Sequence, residues 1–79
     1  MARNPLKGRT ELWEVTVRAH HIPPRYDVPE KTVRMGGSEV FAKKTVLSNA
    51  QSDAGVPPWK PYRRLGWPHV SARRVELDT

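Results

Sequence analysis

The segment Glu11-Leu-Trp-Glu-Val-Thr-Val-Arg-Ala-His20 places Trp13, Val15, Val17 and Ala19 on one side and Glu14, Thr16, Arg18 and His20 on the other. A period of two, with β-branched and aromatic residues on one side, is what a half-buried strand requires. Such a strand commits the chain to a sheet with one apolar face, and a second layer must cover that face.

The covering element is legible downstream. Ser38 can cap a helix, Glu39 suits the positive end of its dipole, and Gly55 before Pro57-Pro58 ends it, which predicts a helix over 38–54. Val40, Leu47, Ala50 and Ala54 fall near one stripe, flanked by Phe41 and by Lys43 and Lys44. Thr45-Val46 and Ser48-Asn49 lower the helix propensity, so packing has to hold it.

Two more strands are expected. Lys31–Met35 precedes Gly36-Gly37 and folds back on the first strand; His69–Leu77 returns at the end. In the latter, Val70 and Ala72 share one face while Val75 and Leu77 share the other. A bulge near Arg73-Arg74, or partial cover on both faces, accounts for that slip. Ile22–Pro29 holds three prolines and reads as a loop with polyproline character. Residues 56–68 are punctuated by proline and glycine and read as an ordered loop, because Trp59, Tyr62, Leu65 and Trp67 are too apolar to stay solvated at no cost. The expected fold is therefore α/β (α+β) in the order β-β-α-β. One helix lies on one face of a small three-stranded sheet, its crossover is right-handed, and the other face is open. Residues 1–10, with Arg3, Lys7 and Arg9 and no acid, form a flexible basic arm ahead of one small domain over 11–79.

A chain of 79 residues buries roughly 60% of its unfolded surface, so its stability margin is a few kcal/mol. With 0 Cys there are no disulfides and no cysteine zinc sites, and His20, His21 and His69 lack a ligand spacing. No metal and no cofactor is expected; a homodimer or docking on a larger partner is the reinforcement left. No stretch approaches the ~20 apolar residues of a membrane span, and the start is too polar for a signal peptide, so the expectation is a cytoplasmic protein with no membrane partner. The preference for Arg over Lys, with much Ala, Val, Pro and Gly, has the tone of a small reading frame of GC-rich bacteria or their phages.

The net charge is +6, and the excess is localised. From Trp59 to Arg74 the chain interleaves Lys60, Tyr62, Arg63, Arg64, Trp67, Arg73 and Arg74 without one carboxylate. Cations for phosphates and flat side chains for stacking are what nucleic-acid binding needs, and arginine adds planar bidentate contacts. The competing reading is that Trp59, Tyr62 and Trp67 pin the loop to the sheet while the arginines are solvated. Lys43-Lys44 extends the basic face, although adjacent helical residues diverge and one lysine should point elsewhere.

Catalysis finds little support. His20, His21 and His69 with Asn49 and Asp27 invite comparison with His–Asn–His nucleases, but the third histidine falls on a strand and not on a helix. There is no Gly-rich phosphate loop, no serine elbow and no carboxylate pair at helical spacing. The expectation is a non-enzymatic binder, first of the RNA or DNA phosphate backbone through the basic aromatic surface. The alternative is a small adaptor or inhibitor that docks on an acidic protein, such as a phage-encoded one directed at a host protein.

Overall fold

A computed structural model describes residues 11–75. The basic arm and the end of the expected last strand, Leu77 included, lie outside the described residues. Five strands form two sheets. β1 (Leu12–Val17) lies at the centre of a three-stranded sheet, between β4 (Lys31–Gly36) and β5 (Val70–Val75), both antiparallel to it. β2 (His20–Ile22) and β3 (Tyr26–Val28) pair as a separate antiparallel hairpin.

The alternation of β1 sets the two faces. Val15 stands opposite Val33 and Ala72, and Val17 opposite Val70, so these residues share the inner face. Val15 and Val17 are fully buried there, and Trp13, Val33, Met35 and Ala72 pack around them. The next rows put Glu14 opposite Arg34 and Arg73, and Thr16 opposite Thr32 and Ser71, on the outer face. The Thr16 and Thr32 hydroxyls meet at 3.1 Å.

The coarse class, mixed α and β, holds, but the element order is longer than expected. The first strand stops at Val17 and leaves Ala19 exposed; the chain then enters the hairpin. The stretch read as a proline loop is in fact β2 and β3. Pro23 and Pro24 occupy the turn between them, and Pro29 follows β3, so none of the three is required to donate in the ladder. Ile22 and Val28 are buried and close one end of the core. No bulge interrupts β5: its register with β1 runs unbroken from Val17↔Val70 to Leu12↔Val75. Val75 therefore does lie on the outer face, where it and its partner Leu12 are half-buried.

α1 (Glu39–Asp53) covers the inner face within the expected range. The Ser38 hydroxyl accepts the Phe41 N–H at 3.1 Å, and Gly55 takes a φ of +88° just past the helix end, a conformation that favours glycine. The buried stripe is Ala42, Val46, Leu47, Ala50 and Gln51, which corrects the expected one: Val40 is 61% exposed. Alanines at 42 and 50 bring the helix axis close to a sheet of valines, whereas the bulkier Val40 and Phe41 face outward. Lys31 reaches Asp53 at 3.2 Å and ties the start of β4 to the end of the helix.

A second helix, α2 (Lys60–Leu65), and a 3-10 turn (Trp67–His69) replace the expected loop. Pro61 and Pro68 each sit in a first turn, where the missing N–H would have had no helical partner. No helix among the described residues is long and apolar enough to cross a membrane.

Candidate functional site

α2 contributes no buried residue. What positions it is a set of polar and aromatic contacts. Arg63 donates from Nη1 to the Ser48 carbonyl at 2.8 Å and to the Ser48 hydroxyl at 3.2 Å, and from Nη2 to the Ser52 hydroxyl at 3.1 Å. In return, buried Gln51 donates from Nε2 to the Arg63 carbonyl at 3.2 Å. Tyr62 packs edge-on against Tyr26 of the hairpin at 6.2 Å. Gly66 then lets the chain pass directly over α1: a Cβ there would lie 2.1 Å from Gln51 Nε2.

Held at this distance, α2 and the 3-10 turn leave a groove of about 820 Å³ along α1. One wall is the α1 stripe Val40, Lys44, Leu47, Ser48 and Gln51; the other is Arg63, Arg64, Trp67 and Pro68, with Pro58 at one end. No lining residue carries a carboxylate. Lys43 places its ammonium 5.3 Å from the centre of the Trp67 ring. The two lysines diverge as adjacent helical residues do: Lys43 lies over the Trp67 ring and near Glu39, and Lys44 lines the groove. Five large apolar residues stay exposed among the described residues, and all lie on this helical side: Val40, Phe41, Trp59, Leu65 and Trp67.

The residues picked from sequence do not form one surface. Lys60 and Arg64 are exposed on α2, and Trp67 lines the groove. Trp59 is 64% exposed, so it does not pin the chain; Tyr62 does. Arg63 is engaged with α1. Arg73 and Arg74, adjacent on a strand, project from opposite faces. Arg73 meets Glu14 at 2.5 Å and Arg74 meets Glu11 at 3.4 Å. Sequence reasoning singled out Lys44 as an extension of the basic face but passed over Val40, Leu47, Pro58 and Pro68 as site residues. The signal for them was an apolar pair at the start of the helix that the alanine stripe did not need.

Under the groove lies a histidine pair. Antiparallel pairing of β1 with β5 brings His20 and His69 into a parallel stack, with centroids 4.4 Å apart and planes 3° apart. His20 Nδ1 lies 2.6 Å from the Arg18 carbonyl, so that nitrogen carries the proton, and Nε2 is left buried without a partner among the described residues. Burial first, then the neighbouring His20 and Arg18, hold the His69 pKa below its ordinary value. His21 pairs instead with Asp27 at 2.8 Å across the exposed hairpin. Among the described residues no cluster of three His, Cys, Asp or Glu could hold a metal ion. Comparison with protein-family models, with curated proteins and with solved structures finds no match, so the reading of this site rests on its geometry.

Proposed function

We propose that this protein is a non-enzymatic docking module that holds an acidic segment of a partner protein in the groove between α1 and α2. The observation that carries this reading is an apolar trough open to solvent, edged by Lys44 and Arg64 and lined by no carboxylate. Full burial of a large apolar side chain is worth ~1.5–3 kcal/mol, and Trp67 and Val40, each part-exposed, would contribute a fraction of that before the cost of association. The cations set which partners dock: they attract carboxylates and repel basic segments. A cysteine-free chain suits a cytoplasmic partner.

The test is affinity purification from native cells, with and without nuclease, using the wild type and a Trp67→Ala/Arg64→Glu variant. A partner protein that survives nuclease and is lost from the variant supports docking. Recovery of nucleic acid alone overturns it.

A second reading, nucleic-acid binding, draws on the exposed indoles of Trp59 and Trp67 beside Lys60, Arg64 and Lys44. With Arg63 engaged on α1 and Arg73 and Arg74 on carboxylates, two of the five cations of that stretch, Lys60 and Arg64, remain for phosphates, and Lys44 makes a third. The slope of log K against log salt is then about −2 to −3.

A further inference from the structure

We infer that the occupant of the groove is a single amphipathic α-helix of about three turns, with an apolar stripe directed at Leu47 and Trp67 and carboxylates along its flanks. The inference rests on the docking reading above and specifies its partner. Three observations lead to it.

The first is length. The α1 wall runs from Val40 to Gln51, most of the helix. At ~1.5 Å per residue this stripe extends over about 16 Å, the length of three helical turns.

The second is hydrogen bonding. An extended segment laid in the groove would bring its own N–H and C=O groups against walls that have little to offer them. The backbone of α1 is bonded within the helix, and the Ser48 carbonyl and hydroxyl already accept from Arg63. Pro58 and Pro68 have no N–H to give. Of the other polar side chains, Lys44 and Arg64 are cationic donors that accept nothing, and Gln51 offers one acceptor, an Oε1 that is itself buried and has no partner among the described residues. Each backbone N–H buried without a partner costs about 1–3 kcal/mol. A helix brings its backbone bonds already made and presents only side chains.

The third is charge. Lys44 lies on the α1 wall and Arg64 on the opposite one. A helix between them has a cation on each flank, which selects Asp and Glu on both sides of its apolar stripe. Lys43, above the Trp67 ring, is already paired with Glu39 at 4.0 Å, so the selection rests on Lys44 and Arg64. The outer face of the sheet lacks this combination, since its arginine row contains Glu14.

The experiment is selection of a displayed library of random 18-residue peptides on the full chain, counter-selected against Trp67→Ala/Arg64→Glu. Enriched peptides are then measured by fluorescence anisotropy, with an 18-residue oligothymidylate in parallel. The expected winners carry apolar residues at spacings of three and four with Asp or Glu between them. Two central prolines should weaken them at least tenfold. Val40→Glu, a change at an exposed position that leaves the core intact, should also weaken them at least tenfold, while Arg73→Ala should not. Circular dichroism of each variant verifies that the fold is retained. Winners that are proline-rich, or that tolerate the two prolines, overturn the helix and leave docking standing. An empty selection, with oligothymidylate bound in a salt-dependent way, overturns both.

Discussion

The two large surfaces of this molecule handle charge in opposite ways. On the outer face of the sheet a carboxylate sits among the cations: Glu14 stands opposite Arg34 and Arg73 and pairs with the latter, and Thr16 meets Thr32. On the helical face, apolar side chains lie bare beside cations that no carboxylate of the groove lining answers. Both surfaces are arginine-bearing and both come partly from the same C-terminal stretch. Their difference teaches that a count of cations along a chain says little about function until each cation's neighbour is known. A paired arginine is a solvated strut, and an unpaired one beside bare indole is a candidate contact.

The strongest way to break this contrast is to fill the space that sets the groove. Gly66 has an ordinary negative φ of −90°, so alanine is allowed there by the backbone. The space forbids it: the new methyl would meet Gln51 Nε2 at 2.1 Å and Leu47 Cδ1 at 3.2 Å. Gly66→Ala should destabilise the fold by about 2 kcal/mol, read as a lower urea midpoint at unchanged slope. Adding Gln51→Ser should recover part of that loss, because the two changes share one space. Strict additivity of the two would refute the account of how α2 is seated.

Next in size is the polar clamp. Arg63→Ala removes the donors that join α2 to Ser48 and Ser52, contacts at the surface that are worth about 1 kcal/mol together. The readout that distinguishes a clamp from an ordinary surface arginine is local. Amide hydrogen exchange should quicken in α2 and stay slow in β1 and α1. Uniform quickening throughout the chain would mean that α2 is part of the cooperative core.

Much of this fold was legible from local chemistry, and the gaps have specific causes. The alternation of β1 and the caps at Ser38 and Gly55 were read correctly because each is a short-range requirement of the backbone. Proline misled in two places. A proline forbids a strand or helix only where its N–H is needed, and Pro23, Pro24, Pro61 and Pro68 all sit where it is not. The helix stripe was misplaced because α1 carries apolar residues on more than one side, and the choice among them was made by the sheet. In the same way, nothing in the order of residues records that Arg73 meets Glu14 and Arg74 meets Glu11, partners some sixty positions away. The groove itself was invisible, because it arises between α1 and an element read as loop.

A smaller effect separates the histidine pair from the groove above it. In the folded chain His69 is held below its ordinary pKa by burial, by His20 and by Arg18. The unfolded chain has no such restraint and takes up the proton around pH 6.5. Folding therefore excludes a proton, so stability is complete above that pH and falls as the pH drops through it. The urea midpoint should decline from pH 7.5 to pH 5, and His69→Gln should flatten that decline. An unchanged slope in His69→Gln would place the pH dependence elsewhere.

The smallest expected change in stability tests the contrast most directly. Glu14 is the only carboxylate in its row of the outer face, with Arg34 on one side and Arg73 on the other. In its ion pair with Arg73 the guanidinium is solvated and the carboxylate is partly covered; pairs at the surface contribute about 1 kcal/mol or less, so Glu14→Gln should move the urea midpoint little. Its effect on binding should be larger than its effect on folding. With the carboxylate gone, two arginines face solvent across β1 with no counter-charge between them, and a polyanion gains two sites at once. Titration with oligothymidylate should then show a log K against log salt slope steeper by about 1 to 2 than in the wild type. Stability tells the other side of the same experiment, since the Arg34 and Arg73 that the polyanion would use still lie in an intact sheet. A slope that does not move would mean that neutralisation by Glu14 is not what keeps the outer face silent, and the distinction between the two surfaces would have to rest on apolar exposure alone.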